Sequence, residues 1–288
     1  MSREQRIDLS RPLGPLRGEP GNLERPADLN AEFSAWTRHP RFAELLARDQ
    51  VAIPAVEDRE GYNPGEDYQY WVTGFADYIN ISRLLPADFL ERQLSILDFG
   101  GCTGRVARHF LAAQPTTQIT IAEANVNYVN WVNAHFGNQC RALKIGPQPG
   151  LPLPDNSFDF AFALSVFTHI DTDESAWLTE LMRVLKPQGY LYVTVLCEHS
   201  WQAMDRESLL ATIKAEYEPN QDLAAAIGGP MPRERISVAL EFNDVIDNCN
   251  TFHSCSYLRR VWSRFATIDR IVPLHHGNQT AVLLRKGS

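Results

Sequence analysis

Between Ile96 and Phe110 the chain reads ILDFGGCTGRVARHF: a hydrophobic run ending in Asp98, a turn holding Gly100, Gly101 and Gly104, and a helical continuation. A strand, a glycine-rich turn and a helix in that order bring bare backbone close to a ligand and aim the helix's unpaired N–H groups at it. The chemistry implied is the binding of a nucleotide-like cofactor. Dinucleotide-binding turns use G-x-G-x-x-G, a spacing that glycines at 100, 101 and 104 do not have. A second acid, Glu123, closes the next hydrophobic run 19 positions after Gly104. Nucleotide-binding α/β folds place there a carboxylate whose two oxygens accept both ribose hydroxyls. Glu123 alone is compatible with a solvated acid at a strand end; Asp98 and Gly104 beside it favour the ribose role, with Ala124 and Asn125 flanking adenine. Farther on, His169 follows the apolar run FAFALSVF. Histidine is suited to take a proton near neutral pH, though a histidine that caps or packs in a strand–helix loop is an equal alternative. His199, His253, His275 and His276 are its rivals.

These residues need elements to hold them. From Leu94 onward, strand patterns at 94–99, 118–123, 140–145, 158–164 and 190–196 alternate with helical periodicity at 104–114, 126–136 and 174–186. Repeated βα units imply a parallel sheet with helices on its faces. The link 146–157 carries Pro147, Pro149, Pro152 and Pro154 and so crosses without a regular helix. SYLRRVWSRF reads as a helix, 266–273 and 279–285 as strands, and HHGN as the turn between them.

Upstream, residues 1–30 hold Pro12, Pro15, Pro20 and Pro26 among glycines and charges and read as an extended arm. Residues 31–92 read as a helical cover. Phe33 with Trp36, then Phe42, Leu45 and Leu46, mark two short helices parted at Pro40, and a longer helix carries Tyr68, Tyr70, Trp71, Gly74, Phe75 and Tyr78. Those aromatics fit a core stripe better than a lid. The domain proper spans 93–288, with an irregular insertion at about 198–255 that contains helical pieces at 206–217 and 222–227.

A net charge of −8 without any Lys/Arg cluster argues against a nucleic-acid partner and for a small molecule. Cys102, Cys140, Cys197, Cys249 and Cys255 lack C-x-x-C spacing and read as reduced, unbridged thiols. The first residues carry no apolar signal region, and no segment approaches the roughly 18–20 apolar residues of a membrane span. The expectation is a soluble cytoplasmic protein with no membrane partner.

The 98–104 turn resembles motif I of the class I S-adenosylmethionine-dependent methyltransferases, D-x-G-x-G-x-G, with Asp98, Gly100 and Gly104 matching and Cys102 standing where the middle glycine usually lies. The segment LPLPDNSFDFAFALSVFTHI resembles the fourth-strand region of the small-molecule members, although Pro147 and Gln148 occupy positions where that family often has an acid. The resemblance spans about 94–286, less the insertion. It implies an α/β, Rossmann-like fold: a seven-stranded mixed sheet with a C-terminal antiparallel pair, here with an N-terminal helical cover and a helical insertion after strand 5.

The resemblance further implies S-adenosylmethionine as cofactor. Asp98, Gly100, Gly101, Cys102, Thr103, Gly104 and Arg105 would surround its methionine part, and Leu164, Ser165 and Phe167 would border the sulfonium. His169 would be the base for a hydroxyl acceptor on a sugar or specialised metabolite. Some relatives use magnesium, which His169, Asp171 and Asp173 could hold; those acids fit better as caps of the helix beginning near Glu174, and no metal is assigned. Nucleic-acid amino methyltransferases carry an N-P-P-Y-like tetrapeptide where this chain has LSVF. An NAD-dependent oxidoreductase, or a non-catalytic cofactor-binding protein that kept the fold, are the alternatives.

Overall fold

The computed structural model describes residues 23, 31–59, 67–203, 226, 229–242 and 245–288. The arm expected over 1–30, save Leu23, and the helical pieces expected at 206–217 and 222–227 lie outside the described residues, save Ala226. The chain divides between Pro147 and Gln148 into two compact units, each taken by itself below.

The first unit builds a parallel ladder from β1 (Ser95–Phe99), β2 (Gln118–Glu123) and β3 (Cys140–Lys144). Asp98 is in register with Ile121, and Glu123 with Lys144. Both acids therefore stand at carboxyl ends of strands, the edge where open α/β sheets bind ligands. Helices α4 (Ala107–Ala113) and α5 (Val126–His135) follow β1 and β2. Helix α4 begins three residues later than its periodicity suggests, because Thr103–Val106 remain in the turn.

Short helices α1 (Ala31–Thr37) and α2 (Phe42–Arg48) and the long α3 (Asp67–Leu84) belong to this same unit. Trp71 and Phe75 of α3 are fully buried, stack on each other, and both meet Phe42 edge-on. His109 of α4 packs edge-on against Trp71, and burial holds its pKa down to about 3, so this histidine is a neutral core ring. Arg108 and Asp49, both buried, form an ion pair at 2.6 Å, and the same carboxylate accepts the Trp71 indole N–H. Gly74 permits the close approach: a Cβ there would lie 2.3 Å from the Arg105 carbonyl oxygen. The aromatic stripe is thus core, and it braces the helix that follows the glycine turn.

The second unit contains β4 (Phe158–Ala163), α6 (Glu174–Val184), β5 (Leu185–Cys197), α7 (Glu198–Ala203), β6 (Arg235–Phe242), β7 (Val245–His253), α8 (Cys255–Val261), β8 (Thr267–His276) and β9 (Gln279–Arg285). Strand β4 pairs parallel with β5, and β5 pairs antiparallel with β9, which pairs antiparallel with β8. Strands β1–β5, β8 and β9 are the expected seven. The strand pattern at the end of the chain holds, with β8 running through His275 and His276 so that the turn is confined to Gly277 and Asn278.

Beside α7, the described part of the insertion holds two strands that its sequence did not suggest. β6 and β7 form an antiparallel hairpin, and β7 joins the end of β5 in parallel through Leu196 with Phe252 and Cys197 with His253. The alternation is visible in burial, since Ile236 and Val238 are buried and Ser237 between them is not; they pack with Leu196, Trp201 and Phe252. No helix among the described residues is long and apolar enough to cross a membrane.

Candidate functional site

In the first unit the glycine turn and the two acids come together. The Gly100 N–H donates to the Ala122 carbonyl at 2.8 Å, carrying the β1–β2 ladder one step past the strand, and the Gly104 N–H donates to the Gly101 carbonyl at 2.8 Å. Gly100 (φ 77°) and Gly104 (φ 73°) occupy the left-handed region, and so does Cys102 (φ 48°). Cysteine thus adopts the backbone conformation that glycine tolerates without steric cost, a strain of order 1–2 kcal/mol. A Cβ on Gly101 would fall 2.4 Å from the Asp98 carboxyl carbon, and one on Gly104 would fall 2.4 Å from the Phe136 ring. Both positions require glycine on contact grounds alone.

Glu123 fastens the turn. One carboxylate oxygen accepts the Cys102 N–H at 2.9 Å and the other accepts the Asn125 N–H at 2.8 Å. A carboxylate oxygen can accept more than one hydrogen bond, so this pair of oxygens is chemically suited to hydroxyl donors as well. Asn125 caps α5, its side-chain oxygen accepting the Asn127 N–H at 2.9 Å, and Ala124 is exposed beside it. Burial, and then the charge of Glu123, push the Asp98 carboxyl well above the usual carboxylate range, with Arg105 opposing them. Two carboxylates flanking one turn of backbone N–H groups fit a ligand that brings a cationic amine, a carboxylate and paired hydroxyls, the groups that S-adenosylmethionine carries.

Two expected turn contacts have other partners. Thr103 is buried and its hydroxyl bonds with the Tyr70 hydroxyl at 2.9 Å. Arg105 is buried in an ion pair with Asp77 at 2.6 Å. Their side chains tie the turn to α3. Tyr70, Asp77 and Phe136 are therefore positioning residues that the motif did not reveal, and for Tyr70 the stripe of aromatics in α3 was the available signal.

In the second unit Leu164 and Ser165 leave the carboxyl end of β4, both partly exposed. Ser165 (φ 57°) donates its N–H to the Thr194 hydroxyl at 2.7 Å, and its own hydroxyl accepts from the Gln279 amide at 2.9 Å. Phe167 corrects its expected role: it is wholly buried, edge-on to Trp262, and offers no surface to a ligand.

His169 is exposed, with Nδ1 2.8 Å from the Cys249 carbonyl oxygen. A carbonyl only accepts, so Nδ1 carries the hydrogen and the neutral ring keeps its lone pair at Nε2. Strand β7 sets this orientation, since the Thr251 N–H also donates to the Thr168 carbonyl at 2.7 Å and the Cys249 thiol to the His169 carbonyl at 3.3 Å. Of the rivals, His253 is fully buried and donates from Nε2 to Glu174 at 2.5 Å, while His199 meets the Cys197 sulfur at 3.3 Å. The expected caps are also corrected. Asp173 precedes α6 in a left-handed conformation without a side-chain capping bond, and Asp171 lies 3.9 Å from Arg235.

The model of a methyltransferase domain family matches residues 97–193, from within β1 through most of β5. A relative named O-methyltransferase resE, from Aspergillus sclerotiorum, is 28% identical over 169 residues, or 57% of this chain; the match spans 62% of that relative's length. Among solved structures, an S-adenosylmethionine-dependent methyltransferase from Methanosarcina mazei is similar at a TM-score of 0.50 and 18% identity, covering 72% of this chain and 96% of its own. A 1,6-didemethyltoxoflavin-N1-methyltransferase from Burkholderia thailandensis, solved with 1,6-didemethyltoxoflavin and S-adenosylhomocysteine bound, is similar at a TM-score of 0.50 and 13% identity, covering 92% of this chain and 94% of its own. The domain match falls on the segment that carries the glycine turn and both acids, and these solved structures share the observed α/β fold.

Proposed function

We propose that this protein transfers the methyl group of S-adenosylmethionine to a hydroxyl oxygen of a small-molecule acceptor, a sugar or specialised metabolite. The observation that carries the cofactor assignment is the bridging of the glycine turn to α5 by Glu123, with Asp98 buried beneath Gly101. When bound, the cofactor supplies an electrophilic methyl carbon on a sulfonium. Asp98 accepts from the amine, the N–H groups of the turn meet the carboxylate, and the two oxygens of Glu123 accept the ribose hydroxyls. Ala124 and Asn125 flank adenine, and Leu164 and Ser165 remain the residues that border the sulfonium.

On the acceptor side His169 is the general base, with Nε2 taking the hydroxyl proton as the oxygen attacks. Its Nδ1–H bond to Cys249 favours that tautomer. Similarity to a protein named as an O-methyltransferase supports oxygen, whereas the toxoflavin-type neighbour is named for methylation at N1, so the acceptor atom needs a direct test. Isotopically labelled methyl transfer can be followed over paired small molecules that differ only in carrying a hydroxyl or an amine. Transfer to the hydroxyl member is expected, and His169→Ala should lower kcat by about 100-fold or more with cofactor affinity unchanged. Transfer to amines alone, or a His169→Ala variant at the wild-type rate, would overturn the acceptor assignment.

A further inference from the structure

A second group of chemically capable side chains lies in the second unit, apart from the loop that carries His169. Cys197 ends β5, Glu198 and His199 open α7, and Cys255 opens α8. Cys197 is fully buried, and its sulfur lies 3.3 Å from His199 Nδ1 and 2.6 Å from the Thr280 hydroxyl. The Cys197 sulfur, a Glu198 carboxylate oxygen and a His199 ring nitrogen all lie within 4.8 Å of one another. Glu198 also accepts the Cys255 backbone N–H at 2.9 and 3.1 Å, which fixes the start of α8 against this carboxylate although the two residues are 57 positions apart.

We propose that Cys197, His199, Cys255 and Glu198 bind one zinc ion in a tetrahedral site at the root of the insertion. Two sulfurs, one imidazole nitrogen and one carboxylate oxygen form a donor set suited to zinc and poorly suited to magnesium or calcium, which take oxygen ligands. Ligand bonds of about 2.0–2.3 Å at tetrahedral angles separate a sulfur and a nitrogen by about 3.5 Å. The 3.3 Å between Cys197 and His199 matches that edge, and the 4.8 Å envelope of Cys197, Glu198 and His199 needs only small side-chain movement to close on an ion; the backbone bond from Cys255 to Glu198 brings the fourth ligand beside them.

Zinc binding would displace the thiol protons of Cys197 and Cys255 to solvent, and His199 would bind through its neutral Nδ1. Four bonds to one ion would pin the end of β5 and the start of α7 to the start of α8. The spacing hides the site from the sequence, because a C-x-H pair without C-x-x-C gains its remaining cysteine only through the fold.

The test uses the full chain, purified under reductant, stripped with chelator and titrated with Co²⁺ as a spectroscopic stand-in for zinc. The expected result is one equivalent bound with thiolate-to-cobalt charge-transfer absorption and tetrahedral d–d bands, all displaced by Zn²⁺. Cys197→Ser and Cys255→Ser should each weaken the charge-transfer band and lower affinity by about 100-fold or more, a ligand costing at least as much as an outer-shell partner. His199→Gln, at a partly exposed position, serves if the cysteine variants fail to fold; it should lower affinity while keeping the thiolate band. Cys249→Ser should leave the cobalt bands and the metal affinity unchanged. Substoichiometric binding, bands indifferent to Cys197, His199 and Cys255, or a Cys197–Cys255 disulfide as the only product of the stripped protein with no metal uptake, would overturn the site.

Discussion

Asp98 is buried next to a second carboxylate, and burial followed by the charge of Glu123 raises its pKa well above the ordinary range. A raised carboxyl binds its proton more tightly in the folded state, so its contribution to stability is full below about pH 4 and is lost as pH climbs through the folded value. Asp98→Asn should therefore melt higher than the wild type at neutral pH without ligand, the gap closing toward about pH 4. Its affinity for S-adenosylhomocysteine should fall by about 10- to 100-fold, or about 1.5–3 kcal/mol, the worth of a charge-assisted bond. Paired melting and binding measurements check both signs, and a variant less stable at neutral pH would contradict the account. Cys102 poses the complementary question. Its left-handed backbone costs energy that Cys102→Gly relieves, offset by the greater freedom of glycine in the unfolded chain, so a net gain of about 0.5–1 kcal/mol is expected in denaturant melts. The Glu123 bond is to the backbone N–H and should survive the change. These residues were legible from spacing because their chemistry is local: acid, turn and glycines lie within seven positions.

At the scale of elements, legibility follows range. Strands β1–β5 and the final pair could be read from hydrophobic runs between glycine and proline stops. The hairpin β6–β7 could not, since β7 (VIDNCNTFH) carries aspartate and asparagines and owes its place to pairing with β6 and the end of β5. That omission matters for the site. His169 was visible as a histidine after the fourth strand, yet its tautomer is set by Cys249 on β7, eighty positions away. The hairpin is held by Glu174 of α6, which is buried and accepts from His253 at 2.5 Å, Trp262 at 2.8 Å, Arg235 at 2.9 Å and Tyr257 at 3.2 Å. Burial pushes this carboxyl up, but the hydrogen bond and charge of His253, then Trp262 and Arg235, bring it from 4.5 down to about 2. A depressed carboxyl stabilises the fold above its ordinary pKa, and that stability drains as pH falls from about 4.5 toward 2. Glu174→Gln should cost about 3–5 kcal/mol at pH 7, leaving the charges of Arg235 and its neighbours uncompensated, and should flatten the acid limb of stability against pH. An unchanged acid limb in this variant would show that the network is not what holds the hairpin.

Over the whole molecule, the acidic balance, the family match across 97–193 and the parallel ladders agree with one another. The acidic charge argued for a small-molecule partner, and the glycine spacing argued against a dinucleotide turn. The bracing of the turn was not legible, because Tyr70, Thr103, Asp77 and Arg105 make pairs across long sequence separation that no short motif encodes. The central claim is that the turn and its two acids bind S-adenosylmethionine, and it is tested most directly by calorimetric titration of the full chain with S-adenosylhomocysteine, with NAD as the control. The account predicts one saturable site for S-adenosylhomocysteine, none for NAD, and about 10- to 100-fold weaker binding in Glu123→Ala. No binding at millimolar S-adenosylhomocysteine, or an affinity untouched by Glu123→Ala and Asp98→Asn alike, would contradict it.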